Sequence, residues 1–148
     1  MWPMMMGMIV GRGAIDGPSG PPPVSYWNTL GSGDRTASIT ISTTATLGGG
    51  TINNLIDGGF GPNSTDAVFF NSAQSTREIK FDLGVGVTKI INEFIWIQDI
   101  FTSQGTWVFE GSNDDITYTG IGTSFTLGAA ATDIHVLSNS TAYRYYKL

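Results

Sequence analysis

Residues 78–83 read Glu-Ile-Lys-Phe-Asp-Leu, a strict alternation of charged and apolar side chains. Only a backbone with a two-residue repeat puts Ile79, Phe81 and Leu83 on one face and Glu78, Lys80 and Asp82 on the other, so this segment is a half-buried β-strand. The same period, in β-branched residues, runs through residues 36–43 (TASITIST). Residues 90–97 (IINEFIWI) are apolar on both faces, as in a central strand covered on each side. Residues 106–110 (TWVFE) lead into Gly111-Ser112-Asn113-Asp114-Asp115, a cluster suited to closing a hairpin. Further strands are expected at 123–127, 133–137 and 142–148. No window combines helix caps with a 3.6-residue apolar stripe; only residues 51–56, after Gly48-Gly49-Gly50, suit one helical turn. The 20 glycines and the low content of charged residues agree with short strands joined by turns. The fold expected is an all-β, antiparallel β-sandwich, with Ile79, Phe81, Leu83, Ile95, Ile97, Trp107 and Phe109 in its core.

A chain of 148 residues fits one such domain. The sandwich is assigned to residues 24–148 and an extended arm to residues 1–23. The arm opens on an apolar stretch with Trp2, Met4, Met5, Met6 and Met8 and continues as GRGAIDGPSGPPP. Its start has no basic region and no small-residue cleavage site of the signal-peptide kind, and it is too short to span a bilayer. The triple proline favours polyproline II, and the glycines lose the most entropy on ordering. Such a segment either stays a disordered tail or is held by something else. Methionine suits docking because its unbranched thioether fills irregular grooves, so Trp2, Met4, Met5, Met6 and Met8 are candidate docking residues for a neighbouring chain.

Four segments in order resemble the discoidin, or coagulation-factor type C, module. They are Asn54-Leu55-Ile56-Asp57-Gly58, Ile79-Lys80-Phe81-Asp82-Leu83-Gly84, Trp107-Val108-Phe109-Glu110-Gly111-Ser112-Asn113-Asp114 and Ala142-Tyr143-Arg144-Tyr145-Tyr146-Lys147-Leu148. The resemblance covers about residues 50–148 and implies a galactose-binding-like jelly roll. Two departures stand out: Asp115 occupies a position where the family usually has glycine, and the sequence stops at Leu148, before the family's last strand. An apolar arm joined to a small jelly roll also resembles, in architecture alone, virion proteins of tailed bacteriophages such as fibres, spikes and head-decoration proteins.

The chemistry available is sparse. There is no cysteine, which excludes disulfides, thiol nucleophiles and Cys-ligated zinc. The single histidine, His135, has no second histidine or cysteine with which to bind a metal, and it reads as a packed or surface strand residue. Glu78, Glu93 and Glu110 lie in strands with no spacing that demands the facing carboxylates of a glycosidase. The net charge is −5 and the basic residues are scattered, so there is no nucleic-acid footprint. The chain is therefore read as non-enzymatic.

Two ligand sites are expected. The resemblance implies calcium in the loop after Asp57, where Asp66 lies nearby and backbone carbonyls of residues 58–61 offer hard oxygen ligands; Asp57-Gly58 is equally a common turn dipeptide. The loop at residues 98–105 carries Phe101 as a stacking platform, with Gln98, Asp99 and Gln104 as hydrogen-bonding groups, which suits a glycan. Two functions follow. One is a structural, oligomeric part of an extracellular assembly, a virion first of all, docked by its arm among other chains. The other is a carbohydrate-binding adhesion module for surface glycans, secreted or displayed at a cell surface.

Overall fold

The computed structural model describes residues 2–4, 9–10, 34–59, 66–71, 75–98, 104–128, 130 and 132–148. Its strands are β1 (Trp2–Met4), β2 (Ile9–Val10), β3 (Thr40–Thr43), β4 (Leu47–Gly49), β5 (Val68–Phe70) and β6 (Ile79–Asp82), then β7 (Glu93–Ile97), β8 (Thr106–Ser112), β9 (Thr119–Thr126), β10 (Thr132–Val136) and β11 (Tyr145–Lys147). One 3₁₀ turn spans Ile52–Leu55, where one helical turn is expected. No helix among the described residues is long and apolar enough to cross a membrane.

Every strand pairing among the described residues is antiparallel. A five-stranded sheet has the order β3-β6-β11-β8-β9, and two three-stranded sheets have the orders β10-β7-β2 and β1-β5-β4. The alternation in β6 places Ile79 and Phe81 at 0 % exposure. Across the sandwich Phe94 of β7 stacks on Phe109 of β8 at 5.4 Å, and Trp96 meets Trp107 at 6.3 Å. These contacts clamp the β7 sheet face to face on the five-stranded sheet. Ile79, Phe81, Leu83, Ile95 and Phe109 are buried as expected, whereas Ile97 and Trp107 are only half-buried, and Trp96 and Phe94 take the central places.

The segment at 36–43 is shorter as a strand than its alternation suggests, because residues 36–38 turn first. The last strand is not an open edge: β11 lies between β6 and β8, with Tyr146 opposite both Phe81 and Gly111. Gly111 has to be glycine, since a Cβ there would sit 2.2 Å from the Tyr143 ring. The Tyr146 hydroxyl accepts from the Ile91 amide at 3.1 Å and donates to the Lys89 carbonyl, tying the C-terminal strand to the entry of β7.

The arm requires a correction. The sequence offers it to a neighbouring chain, yet Trp2–Met4 pairs with β5 and Ile9–Val10 pairs with β7 of the same chain. Short apolar segments find backbone partners along those two strands, which would otherwise each be bonded on one side only. Trp2 and Met4 are thus strand residues of this chain, while Met5, Met6, Met8 and residues 11–23 lie outside the described residues.

Candidate functional site

Outward-facing side chains at one end of β6, β11 and β8 form the walls of an open groove of about 400 Å³. The register explains why they meet. Lys147 lies opposite Lys80 on β6 and Glu110 on β8, so alternate residues of three neighbouring strands share the outer face. Lys147 Nζ donates to Glu78 Oε1 and Glu110 Oε2, each at 3.1 Å, and stands 4.2 Å from the Tyr118 ring centre. Burial works against the Lys147 charge, but the two carboxylates outweigh it and hold its pKa above the ordinary lysine value.

The second wall comes from the loop before β8. Gln104 donates its amide to the Leu127 carbonyl at 2.9 Å, and its own carbonyl accepts the Trp107 indole N–H at 2.7 Å. Gly105 then turns the chain with φ +83°, which glycine adopts without strain. The indole is thereby fixed, half-buried against Trp96, and Trp107 is one of the residues that line the groove. Opposite lie Ser75, Thr76 and Arg77, all exposed. Thr76 has φ 55°, an unfavourable left-handed backbone for a β-branched residue. The groove is therefore lined by residues carrying hydroxyls, an amide, a guanidinium and two carboxylates, beside Trp107, a set of groups suited to a polyhydroxylated ligand.

The residues expected to bind glycan separate. Gln104 reaches the groove. Gln98 does not: it is 1 % exposed, and its side-chain oxygen accepts the Trp96 indole N–H at 2.9 Å. This corrects its assignment, because a fully buried indole needs an acceptor and Gln98 supplies it. Asp99 and Phe101 lie outside the described residues. Sequence reasoning does not single out Arg77, Glu78, Glu110, Lys147 or Trp107 as site residues. The alternation marks Glu78 and Glu110 as outward-facing, but only the register brings them to one ammonium.

Asp57 and Asp66 do come together. A Cβ on Gly59 would lie 3.1 Å from Asp57 Oδ1 and 3.3 Å from Asp66 Oδ1. Asp57 Oδ1 also accepts the Gly59 amide at 2.8 Å, so it has a turn-forming role in any case. Calcium needs six to eight oxygens, and no group of three or more His, Cys, Asp or Glu side chains is present among the described residues. Two carboxylates fit the ion, and backbone carbonyls or water would have to complete the set. At the other end of the sheet Asp82 binds Arg144 through two hydrogen bonds of 2.7 and 2.8 Å. That ion pair sits opposite the groove and serves the turns there.

No family model matches the sequence, and no curated protein matches it. A search of solved structures finds a chain described as CpGH89CBM32-5 from Clostridium perfringens, in complex with GalNAc-β-1,3-galactose. The two share 13 % identity over 75 % of this chain and 82 % of the other, with a TM-score of 0.52. That chain is a carbohydrate-binding module of the galactose-binding-like type. The all-β antiparallel sandwich described above has the jelly-roll fold of that module.

Proposed function

We propose that this chain is a non-catalytic carbohydrate-binding module and that the groove between Arg77 and Trp107 is its glycan site. The observation that carries this reading is the groove itself: hydroxyl, amide and charged groups gathered beside the half-buried Trp107, on a jelly roll like that of a carbohydrate-binding module. An indole face takes the apolar side of a sugar ring, and the polar groups take its hydroxyls. Lys147 occupies the space between Glu78 and Glu110 that a scissile bond and its water would need, which fits binding and not hydrolysis. Galactose and N-acetylgalactosamine are the first ligands to try, after the disaccharide in the related structure. Calcium between Asp57 and Asp66 is proposed as a brace for the loop, outside the groove.

A single open groove binds at about millimolar strength, or roughly −4 kcal/mol, so adhesion requires many copies together. This reading stands ahead of a docked virion part because Trp2–Met4 and Ile9–Val10 pair with the chain's own sheets, which removes the requirement for a host structure. The test is a glycan array probed with multivalent protein, in calcium and in chelator. Arg77→Ala is expected to lower the signal about tenfold or more with the thermal midpoint unchanged, and chelator to lower the midpoint of the wild type but not of Asp66→Asn. Equal signals from wild type and Arg77→Ala would exclude the groove, and a loss confined to Phe101→Ala would move the site to the 98–105 loop.

A further inference from the structure

The groove has a left-handed residue on each wall, and the two differ in kind. Gly105 turns one wall with φ +83°, and a Cβ there would meet nothing within 4 Å. Gly84, just after β6, is alike, with φ +94° and the same open space around it. At both positions the backbone angle alone accounts for glycine. Thr76 stands on the other wall with φ 55°, at an exposed position that glycine would fill without strain. A β-branched residue is a genuine outlier in that conformation.

Residues held in such a backbone cluster at ligand sites, where a side chain does something that glycine could not. Asp115, with φ 61°, does so within the chain, because its carboxylate accepts hydrogen bonds from Lys80 and Tyr118. Thr76 has no such partner. Its backbone carbonyl accepts from Arg77 Nη1 at 3.4 Å, a bond that any residue at 76 would keep, and its hydroxyl makes no hydrogen bond among the described residues. We infer, on the reading of the groove as a glycan site, that the partner of the Thr76 side chain is the sugar. The Thr76 hydroxyl exchanges a hydrogen bond with one hydroxyl of the ring, and the left-handed backbone is what presents it to the groove. A threonine hydroxyl both donates and accepts, as a sugar hydroxyl does. Branching at Cβ leaves the side chain few rotamers, so little freedom is lost when the ligand seats. Thr76 is thereby a specificity residue: a site that bonds one sugar hydroxyl disfavours the analogue that lacks it.

Three variants of the full chain separate the hydroxyl from the backbone. Each is read by its thermal midpoint and by its apparent affinity on the multivalent glycan array, with galactose and GalNAc-β-1,3-galactose among the probes. Thr76→Gly relieves the strain and is expected to raise the midpoint by about 2–4 °C. It should also weaken binding about three- to tenfold, the size of one hydrogen bond. Thr76→Ala keeps most of the strain, so its midpoint stays near that of the wild type while its binding falls as for glycine. Thr76→Ser keeps the hydroxyl and recovers most of the affinity. A higher midpoint together with weaker binding is an outcome that a merely structural turn residue does not give. A Thr76→Gly midpoint that does not rise would show that the backbone holds no strain. A Thr76→Ala variant that binds as the wild type does would show that the hydroxyl touches no ligand. Either result overturns the inference and leaves the glycan reading standing, whereas a wild-type chain that binds no probe overturns the glycan reading and this inference with it.

Discussion

Asp115 shows how a single residue carries a turn that would ordinarily require glycine. Its φ of 61° lies in the left-handed region, where an L side chain pays about 1–2 kcal/mol. Its carboxylate accepts two hydrogen bonds from Lys80 Nζ, at 2.8 and 2.9 Å, and one from the Tyr118 hydroxyl at 2.6 Å. Those bonds, Lys80 first, hold the Asp115 pKa below the ordinary carboxylate value. Burial, and then the Asp115 carboxylate, push the Tyr118 phenol above its own. Next to it, Asp114 accepts the Thr117 and Ile116 amides and the Ser112 hydroxyl, which lower its pKa to about 2. The departure from the family pattern at this position is therefore compensated. Asp115→Ala keeps the backbone strain and loses every one of these bonds, so it is expected to cost about 1–2 kcal/mol. Asp115→Gly relieves the strain and should cost less than half as much. Chemical denaturation of both variants checks this, and equal losses would mean that the bonds, and not the backbone, set the cost.

At the scale of elements, the strands were legible because alternation is a local property. β6 follows from six residues, and Gly111 and the Asn113–Asp114 turn mark the end of β8. Register is not local, and it was the part that could not be read. Glu78, Glu110 and Lys147 are far apart in sequence, and only the placement of β11 between β6 and β8 unites them. Gln98 misled for a related reason: an amide beside a loop suggests a ligand until the tryptophan two residues earlier is seen to need an acceptor. β10 shows the same limit. Its alternation puts His135 on the face opposite Ile134 and Val136, but not which face is the core. His135 stacks between Phe94 at 4.8 Å and Phe125 at 4.5 Å, and its Nε2 is buried without a hydrogen-bond partner. Burial lowers its pKa, with Asp133 pulling the other way. A lowered histidine pKa means that the unfolded chain takes up the proton first. This contribution to stability is therefore intact above the ordinary histidine pKa of about 6.5 and declines as the pH falls below it. His135→Phe should remove that part of the decline, so that its thermal midpoint falls less than that of the wild type between pH 8 and pH 5. Parallel falls in the two proteins would assign the loss to carboxylates elsewhere.

Taken as a whole molecule, the sandwich is closed by segments from both ends of the chain. β11 completes the middle of the five-stranded sheet, while β1 and β2 extend the two smaller sheets along β5 and β7. The two N-terminal strands belong to different sheets, with only four residues between them. The N-terminal strands thus bond to two different sheets. Removing residues 1–10 would leave β5 with β4 alone and β7 with β10 alone, both with backbone donors and acceptors turned to solvent. Water would satisfy those groups, so each lost pairing costs only about 1 kcal/mol net, but several are lost together. For a domain of this size the thermal midpoint is expected to fall by about 5–10 °C, and the truncated chain to aggregate more readily through its new edges. A docking segment that served only a neighbouring chain would give the opposite result, with the midpoint of the isolated protein unchanged by the deletion. Differential scanning calorimetry of the full chain and of a chain beginning at Gly11 separates the two. An unchanged midpoint would return the methionine-rich segment to a partner, and a lowered one would make it part of this sandwich.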